Sequence, residues 1–207
     1  PKRGVYLAFN RTIADEARPK FAGTGAQART FHGLCLAAVQ GEIAGGPERY
    51  DVRRDMLDAG LVAPHLNRLP HGWTEFGVGL AAMRAFTAFC HSSDRAVTAA
   101  HARQAIAAVT GDPDSLHADG PKRRAQHALR ALTPALVAIA TAFWEARLAD
   151  RRFSHDAYLK LVHLRGDLAL RAFGGLDYVM VDEAQDLNPV QVAILKASGV
   201  SIIAVGD

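Results

Sequence analysis

Two adjacent carboxylates, Asp182 and Glu183, follow an apolar run in YVMVDEAQDL, residues 178–187. The run predicts a buried strand, so both acids lie at a strand tip. There an Asp can hold nucleotide-bound Mg²⁺, and a following Glu can activate the attacking water. The alternative is a helix N-terminus whose acids complement the helix dipole. The preceding strand and the AQD that follows favour the metal–phosphate interpretation.

Such a carboxylate pair needs a phosphate-binding loop of the pattern G-x-x-x-x-G-K-[ST]. GTGAQART, residues 23–30, comes closest, but Ala28 stands where the second Gly belongs and Arg29 where the Lys belongs. The Ala28 side chain would obstruct backbone that must wrap around phosphate. No apolar strand leads into this stretch. We therefore predict that this chain contains the carboxylate pair but lacks the phosphate-binding loop.

Strands and helices alternate at both ends of the sequence. We predict strands at 5–9, 176–182 and 200–207, helices at 10–21, 30–39 and 188–199, and a loop at 22–29. Residues 154–173 are predicted to form one helix or two. The predicted N-caps are Thr30, Ser154 and Asn188, while Pro19 disturbs the end of the first helix and Gly199 ends the last. This alternation predicts a parallel α/β core with an inserted α subdomain.

The middle of the chain is alanine-rich, with no strand-like alternation. We predict helices near 52–61, 75–91, 94–109 and 121–150. Ser93 or Asp94 would cap the third helix, and Pro134 would kink the last. The predicted domains are 1–40 and 153–207 for the core and 41–152 for the helical insertion.

Composition indicates a globular protein: of 207 residues, 49% are hydrophobic and 22% are charged. The net charge of +3 is compatible with nucleic acid. We expect Cys35 and Cys90 to be reduced and buried, and no zinc site, signal peptide or membrane span. Both ends of the sequence look cut from a longer chain.

Four stretches resemble, in order and spacing, motifs of the superfamily 1 DNA helicases of the UvrD/Rep type. YLAFNRTIADEARPKF resembles the segment after the phosphate-loop helix, and RTFHGLC resembles the T-F-H segment. YVMVDEAQDLNPVQ is similar to the Walker B segment, and IIAVGD resembles the start of G-D-x-x-Q. The first stretch looks closest to the branch that includes F-box DNA helicases. The match covers 5–39 and 154–207.

The resemblance implies a P-loop NTPase (RecA-like) core, domain 1A, with the helical subdomain 1B inserted. It also implies that the phosphate-loop strand and helix lie upstream of this sequence and a second motor domain downstream. Asp182 would hold Mg²⁺ bound to ATP, and Glu183 would be the catalytic base. Gln185 would sense the γ-phosphate, or else be a satisfied polar residue in a turn. Asp207 would lie near the nucleotide.

The same resemblance assigns residues to DNA. Phe9, or a core residue in the alternative, would stack on a base beside Asn10, and Arg11 stands where the family commonly has Lys. Thr30 and His32 would face the DNA backbone, while Phe31 packs inward. The basic run at 122–124 could contact duplex DNA or be a solvated helix start.

The implied function is an ATP-dependent DNA helicase or translocase that moves 3′–5′ on single-stranded DNA and acts at its junctions with duplex. It would serve repair or recombination in a bacterial-type cytoplasm, associated with the nucleoid. The chain by itself would hydrolyse ATP poorly, because the phosphate-loop Lys is absent. The alternatives are a helicase subunit of a recombination nuclease complex and a non-catalytic DNA-binding scaffold. The sequence does not identify the protein partners.

Overall fold

The computed structural model describes residues 2–43, 51–52, 55, 57–66, 68–69, 73–110, 127–128 and 130–207. The chain forms two compact units, Pro1–Val52 with Tyr158–Asp207, here the sheet unit, and Arg53–Ala157, here the helical unit. The predicted domain boundaries at residues 40 and 152 stay predictions. The basic run at 122–124 and the predicted helix start at 121 lie outside the described residues.

The strands are β1 (Gly4–Ala8), β2 (Ala26–Thr30), β3 (Asp51–Val52), β4 (Arg152–Phe153), β5 (Tyr178–Val181) and β6 (Ser201–Ala204). The α-helices are α1 (Arg11–Phe21), α2 (Phe31–Ile43), α3 (Ala59–Val62), α4 (Glu75–His91), α5 (Ala99–Thr110), α6 (Thr133–Asp150), α7 (His155–Leu164), α8 (Gly166–Ala172) and α9 (Pro189–Ala197). Short 3₁₀ turns occupy Ala63–His65 and Ala184–Asp186.

The sheet unit contains a parallel four-stranded sheet in the order β2-β1-β5-β6. Val5, Leu7, Val179 and Val181 point from its central strands into the core and are at most 2% exposed. Apolar strands with helical crossovers produce this arrangement, because both faces of a parallel sheet are normally covered. The predicted parallel α/β class is confirmed.

The predicted loop at 22–29 is wrong at its end, because residues 26–30 form the edge strand β2. Ala28 is buried, whereas Gln27 and Arg29 on either side of it are exposed. Because β2 buries only the small side chain of Ala28 between two exposed residues, its sequence has no apolar run, and the hydrophobic pattern did not predict a strand. The stretch compared with a phosphate loop is therefore a turn followed by a paired strand.

The predicted N-caps Thr30, Ser154 and Asn188 are confirmed. The Thr30 hydroxyl accepts from the N–H of Gly33 at 3.0 Å, and Asn188 forms a capping box with Gln191. Ser154 caps α7 by accepting from Ala157 N at 3.3 Å. The segment 154–173, predicted as one helix or two, forms the two helices α7 and α8.

In the helical unit, two predicted helix starts are wrong. Helix α3 begins only at Ala59, and α5 begins at Ala99 rather than at 94. Thr98 N donates to His101 Nδ1 at 2.9 Å, so the helix entry is held by a side chain within its first turn. Pro134 lies in the first turn of α6, where its missing N–H costs nothing. Helical residues at 130–131 precede a turn at Leu132, so the predicted helix is interrupted just before Pro134.

Two further expectations can be compared with the structure. The region predicted to lack strands contains the two-residue strands β3 and β4. Helix α4 packs against α5 and α6, and its Ala81, Ala82 and Ala85 are buried. Phe86 of α4 meets Phe143 of α6 edge-on, with ring centroids 6.3 Å apart. Cys35 and Cys90 are buried, and neither forms a disulfide, as expected. No described helix is long and apolar enough to cross a membrane.

Candidate functional site

The carboxyl ends of β1, β2 and β5 meet at one edge of the sheet. Parallel register pairs Ala8 with Thr30 and Leu7 with Val181, which brings the residues that follow each strand side by side. Asp182 N continues the ladder by donating to Leu7 O at 3.3 Å. The predicted nucleotide residues therefore lie next to the predicted DNA residues at the carboxyl edge, where open α/β sheets bind ligands.

A cavity of about 250 Å³ opens at this edge. Four predicted site residues line it: Phe9, His32, Asp182 and Glu183. Its remaining lining is Leu7, Ala8, Phe31, Val181, Asp186, Leu187, Asn188 and Gln191. The other predicted residues, Asn10, Arg11, Thr30, Gln185 and Asp207, lie outside this lining.

Asp182 is half-buried, and its carboxylate accepts a hydrogen bond from the Tyr6 hydroxyl at 2.5 Å, Oη to Oδ2. Burial, and then the hydrogen bond to Asp182 and the nearby acidic charge, raise the pKa of Tyr6 to about 12. The hydroxyl therefore remains a donor across the physiological pH range.

Glu183 is exposed and has a left-handed backbone, with φ of 51°. Its Oε2 accepts from Gln185 Nε2 at 2.6 Å. Gln185 in turn lies against Gly206, since a Cβ at Gly206 would overlap its amide oxygen. Ala184 N donates to Val205 O at 2.9 Å, which ties the turn after β5 to the end of β6.

The oxygen donors of this cavity fit Mg²⁺ in character. Mg²⁺ is commonly held by one or two carboxylates together with substrate phosphates, and it retains several waters. Asp182 supplies one such carboxylate, half-buried at the cavity wall. Among the described residues, no group of three His, Cys, Asp or Glu side chains could form an all-protein metal cage. The site therefore suits a Mg²⁺ ion that is bound to a nucleotide.

Phe9 and Arg11 extend into solvent. The Phe9 side chain is 64% exposed, so it does not belong to the core of the sheet unit. The Arg11 side chain is 90% exposed and lies 3.8 Å from Asp15, a separation typical of a weak surface ion pair. An exposed aromatic ring and a loosely held guanidinium are available to a polyanion, and their contact with DNA stays a prediction.

Three other predicted DNA residues have structural contacts. The Asn10 side chain caps α1 by accepting from Ile13 N at 3.0 Å, and Thr30 caps α2. His32 faces Tyr158 edge-on at 6.1 Å, and its carbonyl accepts from the Tyr158 hydroxyl. Phe31 packs inward as predicted, at 5% exposure. Each cap leaves further hydrogen-bonding capacity for a ligand, because a hydroxyl and an amide can also donate.

The structure adds residues to this edge that sequence reasoning did not select. Asp186, Asn188 and Gln191 line the cavity, and Tyr6 contacts Asp182 from the neighbouring strand. The capping pattern at 188–191 was visible in the sequence but indicated only a helix start. Nothing in the sequence pattern linked Tyr6 to Asp182, because the contact joins separate strands.

Comparison with known proteins yields one curated relative of interest. No protein-family model matches the chain. The chain is similar to F-box DNA helicase protein 1 of Schizosaccharomyces pombe, with 26% identity over an alignment of 213 positions. The alignment covers 98% of this chain but only 22% of that protein. The chain therefore spans about a fifth of its relative's length.

Proposed function

We propose that this chain is part of the first motor domain of an ATP-dependent DNA helicase of the UvrD/Rep type, near the F-box DNA helicase branch. The observation that carries the proposal is the shared cavity of Asp182, Glu183 and Phe9 at the carboxyl edge of the sheet. An acidic pair suited to a metal–nucleotide thus lies beside an exposed ring suited to a base. The similarity to a DNA helicase along nearly the whole chain supports the same reading.

The proposed chemistry assigns separate tasks to neighbouring carboxylates. Asp182 would hold Mg²⁺, which when bound supplies positive charge to the phosphates of ATP. Glu183 would accept the proton of the water that attacks the γ-phosphorus, releasing ADP and phosphate. Gln185 would sense the γ-phosphate, and its hydrogen bond to Glu183 at 2.6 Å supports this role. Asp207 would lie near the nucleotide.

The proposed DNA contacts lie at the carboxyl ends of β1 and β2 and in the first turns of α1 and α2. Phe9 would stack on a base without reading sequence. Arg11, together with the polar groups of Asn10, Thr30 and His32, would contact the sugar–phosphate backbone. We propose single-stranded DNA and its junctions with duplex as the substrate, 3′–5′ movement, and a cytoplasmic, nucleoid-associated location.

The proposed architecture is a RecA-like core with an inserted helical subdomain. The phosphate-binding loop and the second motor domain would come from parts of the protein outside this sequence. We therefore expect little ATP hydrolysis from the 207-residue chain alone, because a Lys on the β- and γ-phosphates is needed.

The test is ATP hydrolysis by the complete protein, measured with and without single-stranded DNA. We expect DNA to stimulate hydrolysis, and Glu183→Gln to reduce the stimulated rate at least about 100-fold because the general base is lost. Glu145→Gln makes the same chemical change on the exposed side of α6 and should leave the rate unchanged.

Two other outcomes would indicate a different function for this protein. DNA binding without hydrolysis in any variant would overturn the motor proposal and favour a non-catalytic DNA-binding scaffold. Cleavage of DNA by the complete protein, alongside hydrolysis, would place the motor in a nuclease–helicase complex.

A further inference from the structure

The contact between Tyr6 and Asp182 joins two strands of the sheet. In the β1–β5 register Tyr6 is paired with Met180, so its side chain shares a sheet face with that of Asp182, two positions further along. The Tyr6 hydroxyl donates to Asp182 Oδ2 at 2.5 Å across 176 positions of sequence. Hydrogen bonds whose acceptor is an ionised carboxylate belong to the stronger class of hydrogen bonds.

The Tyr6 ring is itself held in place. It packs on Phe21 of α1 with ring centroids 5.2 Å apart and an interplanar angle of 31°. The residue is only partly exposed, and β1 fixes its backbone between two strands. The position from which the hydroxyl approaches Asp182 is therefore fixed, both by the ring packing and by the pairing of β1 with its two neighbouring strands.

The bond occupies one of the two Asp182 carboxylate oxygens. Within the described part of the chain, Oδ2 has the Tyr6 hydroxyl as its side-chain donor and Oδ1 has none. Fixing one oxygen fixes the rotation of the carboxylate, and hence the direction of the other. A carboxylate whose rotation is already fixed loses less conformational freedom when it binds a cation.

We propose that Tyr6 is a positioning residue that holds the Asp182 carboxylate so that its second oxygen is presented to the divalent cation. This inference rests on the proposed function, in which Asp182 is the protein ligand of nucleotide-bound Mg²⁺. It assigns Tyr6 a role outside the DNA contacts and the catalytic pair.

The test is the Mg²⁺ dependence of nucleotide binding by the complete protein, followed with a fluorescent ATP analogue. Tyr6→Phe removes the hydroxyl and keeps the ring on Phe21. We expect it to raise the Mg²⁺ concentration at half-saturation by about 10-fold, the lower end of losses seen when partners of metal ligands are removed. Binding without Mg²⁺ should not change, which separates a lost orientation from a damaged fold.

Tyr178→Phe is the matched control. Tyr178 shares a face of β5 with Asp182, and its ring lies over Gly4 of β1. Tyr178→Phe therefore removes a tyrosine hydroxyl from the same pair of strands and leaves the hydrogen bond to Asp182 intact. A second control combines Tyr6→Phe with Asp182→Asn, where we expect no further loss of Mg²⁺ dependence, because the two residues act through one carboxylate.

Each result decides the inference. An unchanged or lower half-saturating Mg²⁺ concentration in Tyr6→Phe overturns it, as does an equal rise in Tyr178→Phe. If the unsubstituted protein shows DNA-stimulated hydrolysis and Tyr6→Phe has the same Mg²⁺ dependence of nucleotide binding, the role of Tyr6 is refuted and the proposed function stands. If the unsubstituted protein binds no Mg²⁺–nucleotide, the proposed function fails and this inference with it.

Discussion

At the scale of single residues, Glu183 combines proposed chemistry with backbone strain. Its φ of 51° is a left-handed conformation that costs a non-glycine residue roughly 1–2 kcal/mol. The 3₁₀ turn after it and the hydrogen bond from Ala184 N to Val205 O hold the chain there. Strained conformations of this kind occur preferentially at functional sites.

We predict that Glu183→Gly stabilises the protein by about 1 kcal/mol relative to Glu183→Ala. Both substitutions remove the carboxylate, but only glycine relieves the positive φ. Thermal unfolding of the two variants measures the difference directly, and both should lose ATP hydrolysis. Equal melting temperatures would show that the left-handed conformation is not strained here.

At the scale of elements, the most informative contact of the helical unit joins the end of α4 to the start of α7. His91 Nε2 lies 3.1 Å from Asp156 Oδ2, and both side chains are partly exposed. The hydrogen bond to Asp156 raises the pKa of His91, partly opposed by burial. His91 also lies in the last turn of α4, where a positive charge complements the helix dipole.

We predict that this pair stabilises the protein at acidic pH and not at alkaline pH. The pKa of His91 is raised on folding, so its contribution is fully present below the unfolded pKa of about 6.5 and is lost as pH rises through the folded value. Because both groups are partly exposed, we expect less than about 1 kcal/mol.

The measurement compares the melting temperature of His91→Gln with that of the unsubstituted protein from about pH 5.5 to 8.5, a range that brackets the ordinary histidine pKa. The variant should be less stable at the acid end and equal at the alkaline end. His65→Gln changes an exposed histidine of the same unit and should show no such trend. A constant difference across the range would contradict the assignment.

At the scale of the whole molecule, the two edges of the described sheet differ in character. The outer strand β2 exposes Gln27 and Arg29. Polar and charged side chains on an edge strand oppose its pairing with other chains. The opposite strand, β6, is exposed along its length, with Ile202 at 42% and Ile203 at 49% exposure. Since these two side chains point to opposite faces, neither face of β6 is covered. An apolar strand edge of this kind recruits other chains.

We predict that the 207-residue chain in isolation self-associates through β6. Ile203→Lys should reduce the associated fraction several-fold, because a charged side chain on an edge strand opposes pairing. Light scattering and sedimentation of the isolated chain measure the effect, with circular dichroism to verify an unchanged secondary structure. Gln27→Lys adds the same charge to the other edge and should have little effect; a similar reduction there would indicate a non-specific effect of charge.

Much of the local structure could be predicted from the sequence, because its causes are local. Apolar runs predicted β1, β5 and β6, and the cap residues Thr30, Ser154 and Asn188 predicted three helix starts, since a cap bonds to backbone a few residues away. The strand before Asp182 predicted that the acidic pair lies at a sheet edge. Boundaries failed in the alanine-rich middle, where helix propensity is uniform and a side chain such as His101 decides where α5 begins.

Only the tertiary structure decided which elements meet. The short polar strand β2 exists because β1 offers it a hydrogen-bonding partner, and a strand that depends on its neighbour has no signature of its own. The order β2-β1-β5-β6 places Phe9 beside Asp182 and brings the Tyr6 hydroxyl to that carboxylate. Residue types and their local spacing determined which chemistry this chain can support. The pairing of distant strands decided which side chains share the cavity, because hydrogen-bond register acts across space and leaves no periodic trace in the sequence.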